Sequence, residues 1–147
     1  ISACLVGSEM CIRDRVIAMK KTFLNRYHYF FDSNGNLNPR CDAEERKNFL
    51  ELCNKIKPNE SFGNIKTGEI YTREVFSLRK EVLEEMLPIV YSEVFDEHEN
   101  VKACGREKCL ELIEICSELD PFNYYGDIKQ GFLNEENIFK LRWRVNA

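Results

Sequence analysis

Glycine and proline are scarce in this chain, at 7 and 4 residues, which excludes collagen-like and low-complexity classes. No apolar run approaches the roughly 20 residues that a membrane helix needs, so no membrane partner is expected. An excess of one charge is also missing: 21 basic residues stand against 25 acidic ones, and the net charge of -4 gives no overall pull toward nucleic acid or anionic lipid. Histidine is limited to His28 and His98. Neither sits with a serine or cysteine nucleophile and a third orienting group in a known arrangement, so no catalytic triad is read. What is present is 147 residues of which 44% are hydrophobic, enough for one domain with a real core.

The first fifteen residues do not make a signal peptide. There is no basic leading segment, the apolar stretch Ala3 to Val6 is short, and Glu9 follows it. Leu5 to Asp14 instead resembles the in-frame translation of a transposase-type sequencing-library adapter, with all ten residues in agreement. Residues 1–18 are therefore read as a non-native leader, disordered or irrelevant to the fold, with Met19 as the expected native start. Cys4 and Cys11 fall in that leader, leaving Cys41, Cys53, Cys104, Cys109 and Cys116. An odd number of cysteines without a secretory leader argues for a reducing, cytoplasmic setting rather than a disulfide scaffold.

The strongest pattern is internal. Shifting the chain by 63 residues aligns Leu50 to Arg79 with Ile113 to Arg142 without a gap, and ten of the thirty positions are identical. They include Glu51/Glu114, Cys53/Cys116, Pro58/Pro121, Gly63/Gly126, Lys66/Lys129, Gly68/Gly131 and Arg79/Arg142. Chance gives roughly two at one fixed offset. One further residue of slip aligns Phe31-Asp32 with Phe95-Asp96. The expected architecture is mainly α: two tandem helical repeats of about 63 residues, each a helix, a glycine-containing turn or short hairpin, and a helix. They are expected to pack as one pseudo-symmetric domain over 19–147, with units at about 19–79 and 83–142, because a unit of this size buries little surface alone.

Each element has a physical cause. Phe23, Tyr27, Phe30 and Phe31 form an apolar stripe that predicts a helix over about 20–31. Asp42-Ala43-Glu44-Glu45 has the form of a capping box opening a helix over 43–56, and its counterpart is expected over about 105–119. Pro58 and Pro121 stop both. Gly68 and Gly131 are expected at positive φ in the turns that follow. A helix capped at Thr72 should carry Val75, Phe76, Leu78, Val82, Leu83, Met86 and Leu87 inward, with Pro88 kinking or ending it, and a last helix should start near Asn134.

No motif carries a reaction. Cys104 and Cys109, with His98 upstream, offer three zinc ligands, but the C-x4-C spacing is wrong for a knuckle and no second pair follows. The Gly-x4-Gly turns contain Lys66 and Lys129, yet Glu69-Ile70 and Phe132-Leu133 stand where a P-loop needs Lys and Ser or Thr. Asp32 to Leu37 resembles half of a calcium loop and lacks the glycine and glutamate that complete one. No metal and no cofactor is assigned. Glu51 is expected to pair with Arg79, and Glu114 with Arg142, across neighbouring helices.

The leading reading is a small non-enzymatic helical interaction module that binds another protein through an apolar groove between its two units. The alternative is a nucleic-acid-binding accessory protein in which Lys66, Arg79, Lys129 and Arg142 contact phosphates and Trp143 stacks on a base. The alternative requires those four cations on an exposed basic face, whereas the leading reading expects the arginines buried or paired.

Overall fold

A computed structural model describes residues 8–146, with side-chain surroundings for 12–145. Five helices and two two-stranded antiparallel sheets appear among the described residues: α1 (Ser8–Phe30), α2 (Ala43–Ile56), β1 (Gly63–Asn64), β2 (Glu69–Ile70), α3 (Thr72–Val94), α4 (Arg106–Leu119), β3 (Gly126–Asp127), β4 (Phe132–Leu133) and α5 (Glu135–Asn146). The chain is mainly helical. It divides into two compact units, unit 1 through Arg79 and unit 2 from Lys80, with the division falling inside α3. None of the helices is long and apolar enough to cross a membrane among the described residues.

One expectation about helix limits is corrected, and one alternative is decided. α1 opens at Ser8 rather than near Lys20, so the part of the leader from Ser8 to Ala18 is helical, while residues 1–7 lie outside the described structure. No glycine or proline stands between Gly7 and Gly35, and nothing in the local chemistry stops the helix earlier. Of the two outcomes expected at Pro88, a kink or an end, the end is excluded, since α3 continues to Val94. The missing amide of Pro88 forfeits one bond of the helical ladder, and burial of Leu87 and Val90 on either side holds the helix in place.

In unit 1, α2 is opened by the capping box: the Asp42 carboxylate accepts from the Glu45 amide at 2.8 Å, and Glu45 Oε1 accepts from the Asp42 amide at 3.1 Å. The helix ends at Lys57, whose φ of -138° and ψ of 84° leave the helical region, as a residue before proline does. Asp120 ends α4 before Pro121 with nearly the same angles, and both amides reach back 2.9 Å to the carbonyl of a cysteine, Cys53 or Cys116. The predicted aromatic stripe of α1 is buried. Phe23 stacks on Phe49 at 5.5 Å and Phe30 lies 4.6 Å from the same ring, so α1 and α2 share one apolar seam. Phe76, expected inside, is 36% exposed and meets Tyr27 and Phe31 edge-on at the rim.

Both units close a tight turn in the same way. Asp32 Oδ1 accepts from the amides of Asn34 and Asn36, and Phe31 bridges to Leu37. Asp96 Oδ1 accepts from His98 and Asn100, and Phe95 bridges to Val101. The hairpins pair Gly63 with Ile70 and Gly126 with Leu133. Gly68 shows why its type is required: φ is +83°, and a Cβ there would stand 2.9 Å from the Ala43 carbonyl oxygen.

Candidate functional site

The arginines singled out in the sequence are not presented to solvent as free cations. The Arg79 guanidinium lies 4.7 Å from the centroid of the Tyr27 ring within unit 1, and the Arg142 guanidinium 5.3 Å from that of Tyr91 within unit 2. Both Nε atoms are buried, and that of Arg142 has no hydrogen-bond partner. Glu51 and Glu114 are exposed and do not reach these arginines, which corrects the expected ion pairs. Holding a long side chain in one geometry for an exposed pair returns at most about 1 kcal/mol, so a desolvated ring is the better partner.

Lys66 and Lys129 are exposed at the hairpin turns. The backbone around them is already engaged. Asn64 Oδ1 accepts from the amides of Lys66 and Thr67, and Asp127 Oδ1 from those of Lys129 and Gln130. Gly68 and Gly131 donate to the Asn64 and Asp127 carbonyls at 2.7 Å. Amides that would cradle a phosphate thus point inward at the turn, and in unit 2 they converge on a carboxylate.

Unit 2 carries two clefts that share one wall. The larger, about 860 Å³, lies between the end of α3 with its Asp96 turn and α5, and is lined by Tyr91, Phe95, Asp96, Glu97, Glu99 and Trp143 among others. The second, about 670 Å³, is lined by Asn123, Tyr125, Asn137, Phe139, Trp143 and Arg144 among others. Trp143 belongs to both, and 73% of it is exposed. Phe122, Tyr124 and Phe132 are also exposed large aromatics of unit 2.

These three are invisible to identities between the repeats, because they lie at positions where the repeats differ. At the 63-residue offset, Phe122, Tyr124, Phe132 and Trp143 stand opposite Asn59, Ser61, Glu69 and Lys80. Every exposed aromatic of this group replaces a polar residue. The Asp96 turn differs in charge too: Glu97 and Glu99 stand where the Asp32 turn has Ser33 and Gly35.

The loop beside the second cleft is fixed by Asp120. Its carboxylate accepts from Tyr125 Oη and Asn123 Nδ2, both at 2.6 Å, and from Arg144 at 3.0 Å. These donors hold the Asp120 carboxyl well below the usual carboxylate range, the Tyr125 hydroxyl contributing most. Burial pushes the Tyr125 phenol up to about 12, and its bond to Asp120 adds to the shift. Asn137 Nδ2 donates to the Tyr124 carbonyl and ties the same loop to α5. In the other turn, the amide of Asn100, with a further contribution from that of His98, lowers the Asp96 carboxyl.

The thiols divide by surroundings. Cys53 and Cys116 are buried and pushed up to about 12 by desolvation, so they stay protonated. Cys104 and Cys109 are half-exposed neighbours, and desolvation followed by Cys104 raises Cys109. Among the described residues no group of three histidine, cysteine or acidic side chains is arranged to hold a metal.

No protein-family model matches this chain, and no curated protein or solved structure shows significant similarity to it.

Proposed function

We propose that the chain is a non-enzymatic protein-binding module whose two units descend from one duplicated segment, and that unit 2 carries the contact surface. Support for the duplication comes from the ten identities at one offset and from matched local geometry, down to the arginine-on-tyrosine pair in each unit. Support for the contact surface comes from one observation above all: Trp143, 73% exposed, forms the common wall of two clefts in unit 2. Tryptophan is the residue most enriched at binding hot spots, and exposed apolar patches mark interaction sites. The five described cysteines are unpaired thiols, which supports a reducing, cytoplasmic setting.

The nucleic-acid reading draws support from the exposure of Lys66, Lys129 and Trp143. It is the weaker of the two, since the arginines rest on tyrosines and the larger cleft is rimmed by carboxylates that repel phosphate.

Peptide-library selection against the wild type and against Trp143→Lys, which introduces the residue type of the aligned Lys80, tests the reading. Peptides retained by the wild type and lost by the variant support it. A library that yields no Trp143-dependent binder, together with saturable binding of a dodecathymidylate at low salt, replaces it with the nucleic-acid alternative.

A further inference from the structure

We infer that the cleft between the Asp96 turn and α5 receives a lysine or arginine side chain from a basic segment of the partner protein, with the cation set on Trp143 and between Glu97 and Glu99. The inference rests on the protein-binding reading and names the chemistry of the partner. Tryptophan offers the best cation-binding ring face of any side chain. In unit 2 the Tyr91 ring already holds the Arg142 guanidinium, whereas no ring contact or cation is found on Trp143 among the described residues.

The charges around the cleft are unequal. Asp96, Glu97 and Glu99 face it on the acidic side, Lys102 and Arg142 on the basic side. Lys102 Nζ donates to the Ser92 carbonyl at 2.7 Å, and Arg142 is laid on its tyrosine, so both cations are engaged within the unit. Asp96 is engaged by its own turn amides, but Glu97 and Glu99 are exposed, with Glu97 lying 3.6 Å from His98. Two outward carboxylates beside an exposed indole complement a cation on an alkyl stem, which lays its methylenes on the ring and its charge on the rim.

Of the three positions that make this chemistry, Glu97 and Glu99 align with Ser33 and Gly35 of unit 1, and Trp143 aligns with Lys80, the first residue of unit 2. Unit 1 closes the same turn without them. They are therefore not required for folding the turn. Glu99 takes a φ of +65° where Gly35 takes +79°, so a carboxylate is kept at a backbone position that suits glycine.

The test uses the chain's single tryptophan as its reporter. Tetra-arginine amide, tetra-citrulline amide, tetra-glutamate and a dodecathymidylate are titrated at about 20 mM and about 150 mM salt while Trp143 emission is followed. Saturable change with tetra-arginine and none with tetra-citrulline is expected, weakening at the higher salt. The double variant Glu97→Ser/Glu99→Gly, built from residues that close the unit 1 turn, should weaken tetra-arginine binding about ten-fold. Equal binding of tetra-citrulline, unchanged affinity in the double variant, tighter binding of the dodecathymidylate, or no response to tetra-arginine overturns the inference. The two readings fail separately: a library rich in neutral, Trp143-dependent peptides would end the cationic assignment and leave the docking surface standing, whereas a library with no Trp143-dependent member would remove both.

Discussion

Arg142 rests on the ring of Tyr91 with its guanidinium carbon 5.3 Å from the centroid, and its buried Nε finds no hydrogen-bond partner. The ring face and the packed methylenes hold this side chain, and the cost of the orphaned donor is set against them. Arg142→Met keeps the stem and removes the orphan, so its stability should lie within about 0.5 kcal/mol of wild type, while Arg142→Ala should lose about 1–2 kcal/mol. A double-mutant cycle with Tyr91→Leu should give a coupling of about 0.5–1 kcal/mol in urea denaturation. Zero coupling would mean that the ring is a neighbour and not a partner.

Glu99 offers a contrast between stability and binding. A non-glycine residue at φ +65° carries a backbone cost of about 1 kcal/mol, which Glu99→Gly relieves. The variant should gain about 0.5–1 kcal/mol in stability, less whatever the more flexible unfolded chain takes back. Its affinity for tetra-arginine should fall at the same time. Loss of stability on this substitution would show that the Glu99 side chain supports the turn, and would remove the reason for reading its strain as functional.

How far the sequence spoke depends on which residues are asked. Asp42 and Glu45, Pro58 and Pro121, and the stripe from Phe23 to Phe31 announce α2, the helix stops and the core seam, because local chemistry decides each of them. α1 runs longer than expected because its start depends on the absence of a breaker, and α3 passes through Pro88, which local chemistry left open between a kink and an end, because of the tertiary burial around it. The arginine partners differ from the expected ones for a related reason. Opposite charges suggest Glu51 and Glu114, but Tyr27 and Tyr91 reach the guanidinium from helices distant in sequence. The candidate site was legible only in Trp143. Its companions lie in the differences between the repeats, and identities alone do not display them.

Arg46 joins two parts of unit 1 that Cys109 cannot join at the matching place in unit 2. Its Nε donates to the Gly68 carbonyl at 2.9 Å and its Nη1 to the Cys41 carbonyl at 2.7 Å, so α2 holds the hairpin and the preceding loop together. Arg46→Ala leaves two carbonyls to find other donors and should cost about 1–3 kcal/mol. Hydrogen exchange should rise first at the amide of Gly68 and in the hairpin. An unchanged hairpin exchange rate would show that the glycine turn stands without this clamp.

Asp120 should make the stability of the loop beside the second cleft depend on acid. Its folded carboxyl titrates below the unfolded one, so folding favours the charged form. The contribution is whole above the unfolded carboxylate value, about pH 4, and is lost as the pH falls through the lower folded value. Asp120→Asn removes the charge at every pH. At pH 7 the variant should therefore unfold at lower urea than wild type, and the gap should narrow as the pH is lowered from about 4 to about 2. Tyr125 gives an independent reading: with the Asp120 charge gone its phenol should ionise below its wild-type value of about 12, seen as an earlier rise in ultraviolet absorbance. A gap that stays constant down the acid range, with no change in the phenol titration, would show that Arg144, Asn123 and Tyr125 are held by packing and not by this carboxylate.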